Sequence, residues 1–491
     1  MKNNIYNIEQ SVLDIIESQH GAKIRVIIEG LPREKKRIAM LAALCYKKDN
    51  ELKNMLIKIK SIDRISELDK VIERIRKYNP VGEVEKKSYG EIFTAFWLIN
   101  DMLDTLPVEV WNNPNLKWGD FCNGVGNFMV IIIKRLMIGL ESWEPNQEKR
   151  YKHIVENMIY VAELQIKNMF FWMVSIDPRN EFKLNLYRGN SLEKEFDEHM
   201  KNEWKIEKLD VMVGNPPYQE KKEGFKKTQS IWQFFVEKYV SVLSEGGYMT
   251  MVHPSGWRNV DGIYKNIQKL LLSKYIIYLE MHNSADGEKT FNATTPYDFY
   301  CINNINTIKN KQTIVKCQDG TIENVNLNDM EFIPNGMFSE IKKLLAKNNE
   351  EKVKILHSYS AYETRKPFMS KEMTTEFKYP CIYSVLKDNK FNLHWSNKNT
   401  NGHFGIVKLI LGNGANPTSV IDNNGLYGMT QYAYGIIDDV ENLSKIDICL
   451  KSKKFQNINL NTKFVSTAGN PLAYPKILEL FRKDFWKEFI D

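Results

Sequence analysis

The sequence predicts an α/β protein: a mostly parallel sheet interleaved with helices, a helical stretch before it, and an α+β region after it. Three observations carry this. Apolar runs such as Val211–Val213, released by Gly214, read as strands buried on both faces. Segments with apolar residues three and four apart, Ile231–Leu243 among them, read as amphipathic helices. Beyond about residue 310 the pattern changes to strand-like pieces separated by Asn- and Gly-rich turns.

The elements follow in order. Residues 1–80 lack strand alternation, and Val12–Ile16, Ile38–Leu44 and Ile62–Ile75 have helical spacing. The basic run Arg33–Arg37 begins a helix there, as a solvated start or as a contact for phosphate. Asn79-Pro80-Val81-Gly82 marks a boundary. Thr94 is a candidate helix N-cap, with Leu98, Met102 and Leu106 sharing the face that follows. Leu116–Phe128 reads as a strand, a turn bearing Gly124 and Gly126, and an apolar helix through Leu140. The glycines let a backbone approach a ligand closely. A dinucleotide loop is the competing reading, although position 129, where a third Gly is usual, is Met.

Asn157–Glu163 reads as a second strand, and an acid at its end suits a ribose diol, a bidentate acceptor for two hydroxyls. Leu209–Gly214 is the next apolar strand, and it delivers Asn215-Pro216-Pro217-Tyr218 at its carboxyl end, where open α/β sheets place ligands. A Pro-Pro turn with a packed Tyr is the bland alternative. Lys221–Lys227 is a basic loop, suited to solvent or to phosphate. Gly246–Trp257 forms a further strand and turn, with His253 supporting the site, and Tyr275–Met281 and Tyr297–Ile302 close the pattern. After that, Phe404–Leu411 and Leu426–Tyr434 are strand-like and Tyr474–Phe489 is helical. His403, Lys408, Asn413, Asn416, Thr430 and Gln431 make a donor-rich band of the kind that reads base edges, or else simple linking loops.

Composition narrows the function. The 491 residues carry 43% hydrophobic and 26% charged side chains, an ordinary globular balance. Net charge is +7, which suits a polyanionic partner without requiring one. The six cysteines form no Cys-x-x-Cys pair and no His stands at zinc-finger spacing, so reduced thiols and no metal are expected. No apolar span reaches membrane length and the amino terminus lacks a signal peptide's hydrophobic region, so a cytoplasmic protein with no membrane partner is expected.

Asn215-Pro216-Pro217-Tyr218 resembles the catalytic tetrapeptide of S-adenosylmethionine-dependent amino-methyltransferases, above all those that methylate adenine N6 in DNA. The ordered set across residues 86–305, from the Thr94 segment through Asp120 and the glycine turn to the tetrapeptide, is similar to that family in the arrangement that puts the DNA-reading domain last. The resemblance implies a Rossmann-like class I fold with a mostly parallel seven-stranded sheet. It implies an N-terminal helical region over 1–80, a catalytic domain over 81–309 and a C-terminal α+β target-recognition domain over 310–491. S-adenosyl-L-methionine is the implied cofactor, held by Thr94, Asp120, Gly124, Gly126, Glu163 and Asn190, the last standing where the family has Asp. The implied catalytic residues are Asn215, Pro216, Pro217 and Tyr218. Tyr218 and Phe291 would stack on an extruded base, and Lys226 and Lys227 would hold phosphate. Double-stranded DNA is the implied partner, with room for a separate restriction endonuclease.

The chemistry fits those residue types. A purine's exocyclic amine shares its lone pair with the ring, and two acceptors gripping its N–H groups, the Asn215 oxygen and the Pro216 carbonyl, redirect that pair. Cytosine C5 chemistry needs a Pro-Cys nucleophile, and the sole such pair, Pro380-Cys381, lies far downstream. Cytosine N4 enzymes usually carry Ser in place of Asn. Methylation of RNA adenine or of a release-factor glutamine, and a non-catalytic DNA-recognition subunit, are the alternatives.

Overall fold

The glycine turn and the Asn-Pro-Pro-Tyr segment leave neighbouring strands on the same side of one sheet. The computed structural model describes residues 4–62, 94–220, 228–259, 262–306, 311–386, 390–412, 418–462 and 474–490. In it β1 (Trp118–Asp120) pairs in parallel with β2 (Ile159–Glu163) on one side and β4 (Leu209–Gly214) on the other. β3 (Asn185–Arg188) runs parallel beyond β2, and β5 (Leu243–Pro254) parallel beyond β4. With β6 (Lys274–His282) and β7 (Tyr297–Asn306), the order across the sheet is β3-β2-β1-β4-β5-β7-β6. Among the described residues that sheet has nine strands, two more than the seven expected. Strand order reverses between β1 and β4, and such a switch point opens a crevice at the strands' carboxyl ends.

Two compact units make up the chain. Residues 1–253, 269–280 and 284–313 form the first; residues 254–268, 281–283 and 314–491 form the second. In the first, β1 and β2 are buried along their whole length, the carboxylates of Asp120 and Glu163 included. Helices Asn4–His20, Ala22–Glu29, Arg33–Cys45 and Asp49–Ser61 share that core through Val12, Ile16, Ile38 and Leu52. Arg37 belongs to this interior, not to a phosphate-binding surface. It is 1% exposed and donates to Glu9 at 2.7 Å, to the equally buried Asp177 carboxylate at 3.0 Å, and to Asn180 at 2.7 Å. Lys35 is also buried, with its ammonium on the Lys60 carbonyl. Ile62–Ile75 falls almost wholly outside the described residues.

The second unit holds two four-stranded sheets. One runs Lys354–Leu356, Ala433–Ile437, Lys408–Gly412, Ser419–Asp422, all antiparallel. The other runs Met369–Ser370, Phe391–Ser396, Tyr379–Val385, Gly428–Met429, with its last pairing parallel. The strand expected over Phe404–Leu411 therefore starts only at Lys408. The one expected over Leu426–Tyr434 is split in two by a turn at residues 430–432. The helix expected over Tyr474–Phe489 is two short pieces, Tyr474–Leu478 and a 3-10 turn at Phe485–Glu488.

The donor-rich band does not form a reading surface either. His403, Lys408 and Thr430 are all buried. The Lys408 ammonium donates to the Asp422 carboxylate at 2.7 Å and to the carbonyls of His403 and Ile406. Burial lowers the Lys408 pKa and the Asp422 carboxylate opposes that. Gln431 is spent on Thr364, and Asn413 and Asn416 lie outside the described residues. Among the described residues no helix is long and apolar enough to cross a membrane.

Candidate active site

A cleft opens at the carboxyl ends of β1 and β4, lined by Thr94, Asp120, Asn123, Gly124, Asn127 and Asn215 among others. Four residues singled out from the sequence thus meet: Thr94, Asp120, Gly124 and Asn215. Asp120 ends β1 and is 1% exposed. Its Oδ1 accepts from the Cys122 amide at 3.0 Å and from the Tyr239 hydroxyl at 3.1 Å. Burial pushes its carboxyl up to about 6, against the pull of those two hydrogen bonds. Tyr239 was not foreseen. It lies on helix Trp232–Val242, its hydroxyl accepts from the Phe121 amide at 2.8 Å, and a Cβ at Gly214 would come within 2.7 Å of it. The sole sequence signal was a Tyr on the apolar face of that helix.

The glycine turn is shaped by what surrounds it. Gly124 and Gly126 have φ of +54° and +87°, the left-handed region that favours glycine. At Gly126 a Cβ would lie 1.7 Å from Trp172 Cδ1, so the indole closes against the backbone there. Gly126 caps helix Asn127–Gly139, which carries the chain back along the sheet. Glu163, at the end of β2, accepts from the Gly124 amide at 2.8 Å and the Gln165 amide at 2.7 Å. It braces the turn from beside the cleft and is absent from its lining. Asn190 lies farther off. Its oxygen accepts from the Leu192 amide and its amide donates to Glu193, which closes a local turn.

Asn215 follows Gly214 directly, half-buried, with Pro216 buried behind it. Its Nδ2 donates to the Thr94 hydroxyl at 3.0 Å. Thr94 is therefore not the N-cap of the helix that follows. That helix, Phe96–Asp104, is capped at Ala95 with no side-chain bond. The Thr94 carbonyl accepts from Asn127 Nδ2 at 3.2 Å. Tyr218 meets Phe291 edge to face with ring centroids 6.1 Å apart. Phe291 is 8% exposed and packs also on Tyr297, so the two rings touch each other and do not stand as parallel walls for a base. The Tyr218 hydroxyl is buried without a hydrogen-bond partner among the described residues. His253 is wholly buried, stacked on Trp232 at 4.1 Å and bonded to the Tyr300 hydroxyl at 2.9 Å, so it supports the strand end. Lys226 and Lys227 lie outside the described residues.

The turn bearing Gly124 and Gly126 and the Asn-Pro-Pro-Tyr strand end both fall within one family-model match. Residues 123–291 are similar to the Eco57I restriction-modification methylase family. A Mycoplasma pneumoniae protein named as an uncharacterized adenine-specific methylase is 24% identical over 276 residues, 42% of this chain. The match spans 65% of that relative's own length. Among solved structures, a nuclease-deletion mutant of the Type ISP restriction-modification enzyme LlaGI, in complex with a DNA substrate mimic, aligns over 98% of this chain and 67% of its own. The TM-score is 0.51 and the identity 9%. The Type IIL restriction-modification enzyme MmeI in complex with DNA aligns over 82% of this chain and 69% of its own, with TM-score 0.49 and identity 10%. At 9% identity the likeness to LlaGI is one of fold.

Restriction-modification methylases draw their methyl group from S-adenosyl-L-methionine, and the residues of this site fit that cofactor. Asp120 is a buried anion at a cleft floor, which suits an ammonium group. Gly124 brings bare backbone to the cleft, which suits close approach of a ligand, whereas the space beside Gly126 is taken by Trp172.

Proposed function

We propose that the chain is a site-specific DNA methyltransferase that modifies adenine N6 in duplex DNA after extruding the base. The single observation that carries this is the shared cleft: Asn215 and the Asp120–Gly124 turn line one cavity at the switch point of the sheet. The name of the Mycoplasma relative supports adenine as the target.

In this reading Asp120 receives the cofactor's ammonium, Thr94 and the glycine turn hold its methionine end, and Glu163 and Asn190 serve its ribose and adenine. The cofactor supplies an electrophilic methyl group on sulfonium. The chain's own work is at the amine. The Asn215 oxygen and the Pro216 carbonyl accept its two N–H groups, which favours tetrahedral nitrogen with a directed lone pair. Pro216 and Pro217 hold that carbonyl without offering an N–H of their own. Tyr218 stacks on the extruded base, with Phe291 behind it, and Lys226 and Lys227 lie toward phosphate. The second unit takes the part of target recognition.

Labelled S-adenosyl-L-methionine offered with duplex DNA, structured RNA and a release factor in one competition tests the assignment. Label is expected in DNA adenine, and transfer to RNA or protein alone would overturn it. Tyr218→Ala is expected to weaken binding of DNA carrying a fluorescent adenine analogue at the target by roughly 1–3 kcal/mol, the worth of one base–aromatic stack. Unchanged affinity and emission would remove Tyr218 from the base pocket.

The Asp120 carboxyl gives a pH dependence with a definite sign. Its pKa is raised from 3.8 to about 6, so the folded chain holds this proton more tightly than the unfolded chain does. The group's contribution to stability is therefore present at low pH and is lost as pH rises through that window. Cofactor binding needs the ionised form and runs the other way. Affinity by calorimetry is expected to fall as pH drops below about 6, and Asp120→Asn is expected to bind weakly throughout while unfolding at a higher temperature near neutral pH. A wild-type affinity flat across that window would dissociate Asp120 from the ammonium.

A further inference from the structure

We infer that Thr94 is a positioning residue that decides which end of the Asn215 carboxamide faces the target amine, and that it ties this decision to the cofactor-binding turn. The inference rests on the methyltransferase reading above and concerns this chain's own residues. A primary amide has nearly the same shape in its two flipped states, but one presents an acceptor and the other a donor. Against an amine's N–H groups only the acceptor helps. A donor placed there repels them and leaves the lone pair in the ring. Something outside the amide has to choose.

Thr94 is placed to choose. It is 6% exposed, and its hydroxyl oxygen lies 3.0 Å from Asn215 Nδ2, accepting from it. That bond holds the NH₂ end toward Thr94 and turns the oxygen end the opposite way. Both side chains line the cleft that also contains Asp120 and Gly124. The backbone at Thr94 is anchored separately. Its carbonyl accepts from Asn127 Nδ2 at 3.2 Å, and Asn127 is the first residue of the helix that leaves the glycine turn. Thr94 is thus joined through its backbone to the turn and through its side chain to the catalytic amide.

A hydroxyl has one proton and two lone pairs, so alone it accepts from NH₂ or donates to the amide oxygen equally well. The choice becomes fixed once its proton is engaged elsewhere, since it then can only accept. An amino-acid carboxylate at the cofactor's methionine end is an acceptor of that kind. The Asn215 amide is therefore held acceptor-outward when the cleft is filled and is freer to flip when it is empty, so the target amine is gripped well only in the filled state.

The test uses the full chain, S-adenosylhomocysteine as the probe for the cleft, and duplex DNA carrying 8-vinyladenine, a fluorescent base that keeps the 6-amino group, at the target position. In the wild type the probe is expected to raise the emission of that base and tighten DNA binding. Thr94→Val keeps the shape and removes the hydroxyl. It is expected to abolish that dependence on the probe and to lower kcat about a hundredfold, with KM for DNA moved far less. Thr94→Ser is expected to restore both. In an Asn215→Ala background Thr94→Val is expected to change the emission no further, as a double-mutant cycle through one shared contact requires. Probe-dependent emission retained in Thr94→Val, or an undiminished effect of Thr94→Val without Asn215, overturns the inference while leaving the methyltransferase reading intact. Absence of any probe-dependent emission from the wild type overturns both.

Discussion

Asn215→Ala is expected to abolish methyl transfer while leaving cofactor binding close to that of the intact chain. The substitution removes one of two acceptors aimed at the amine. It touches neither Asp120 nor the glycine turn, whose hydrogen bonds run to Cys122, Tyr239 and Glu163. Removing a single preorganised polar group of this kind costs about a hundredfold to a thousandfold in kcat, and more is expected here because the amine has almost no nucleophilicity without it. Single-turnover transfer from labelled cofactor measures the rate, and calorimetry with S-adenosylhomocysteine measures the cleft. Near-normal transfer in the variant would refute the role given to this amide. Loss of cofactor affinity to the same degree would show that Asn215 holds the turn instead.

Gly126→Ala has the second large effect, and it acts through the fold of the turn. The new Cβ would stand 1.7 Å from Trp172 Cδ1 and 2.6 Å from its Nε1, while the backbone stays at φ +87°. The left-handed conformation alone costs a residue with a Cβ about 1–2 kcal/mol. Trp172 cannot step aside cheaply, being 1% exposed on helix Ile166–Ile176 within the main core. Stability is expected to fall by about 3 kcal/mol or more, in the range of overpacking combined with backbone strain. Cofactor affinity is expected to fall with it, since the turn must move. Thermal unfolding and calorimetry would show both together, and a variant as stable as the parent would mean that the turn has another conformation.

These two expectations were legible from the sequence to different degrees. The glycine turn and Asn-Pro-Pro-Tyr are backbone devices, and Gly and Pro declare backbone geometry in the sequence itself. The strands beside them are apolar runs, equally plain. What the sequence withheld are partnerships made across the fold. Thr94 looked like a cap because a Thr before an apolar helical face usually is one, yet its hydroxyl bonds to a side chain 121 residues away. Glu163 takes the amide of Gly124, 39 residues away, a bond that no motif announces. Tyr239 offered no motif at all.

In the second unit the donor types were read correctly and their surroundings were not. Lys408 and His403 belong to an interior that a single sequence does not reveal, because a lysine satisfied by Asp422 and two carbonyls has the same letter as one in water. The strand boundaries there slipped for a related reason. In Asn- and Gly-rich stretches both strand and turn are locally acceptable, and the tertiary pairing decides.

The guanidinium of Arg37 has a practical bearing on how this protein can be dissected. Its partner Asp177 sits at the end of helix Ile166–Ile176, deep in the half of the chain that carries the glycine turn. A shortened polypeptide starting after the leading helices would strip that carboxylate of its counter-ion and open to water the apolar face of helix Ile166–Ile176 that those helices share a core with. The leading helices are thus a structural prerequisite for whatever the cleft does, and useful excisions have to begin on the amino-terminal side of Glu9.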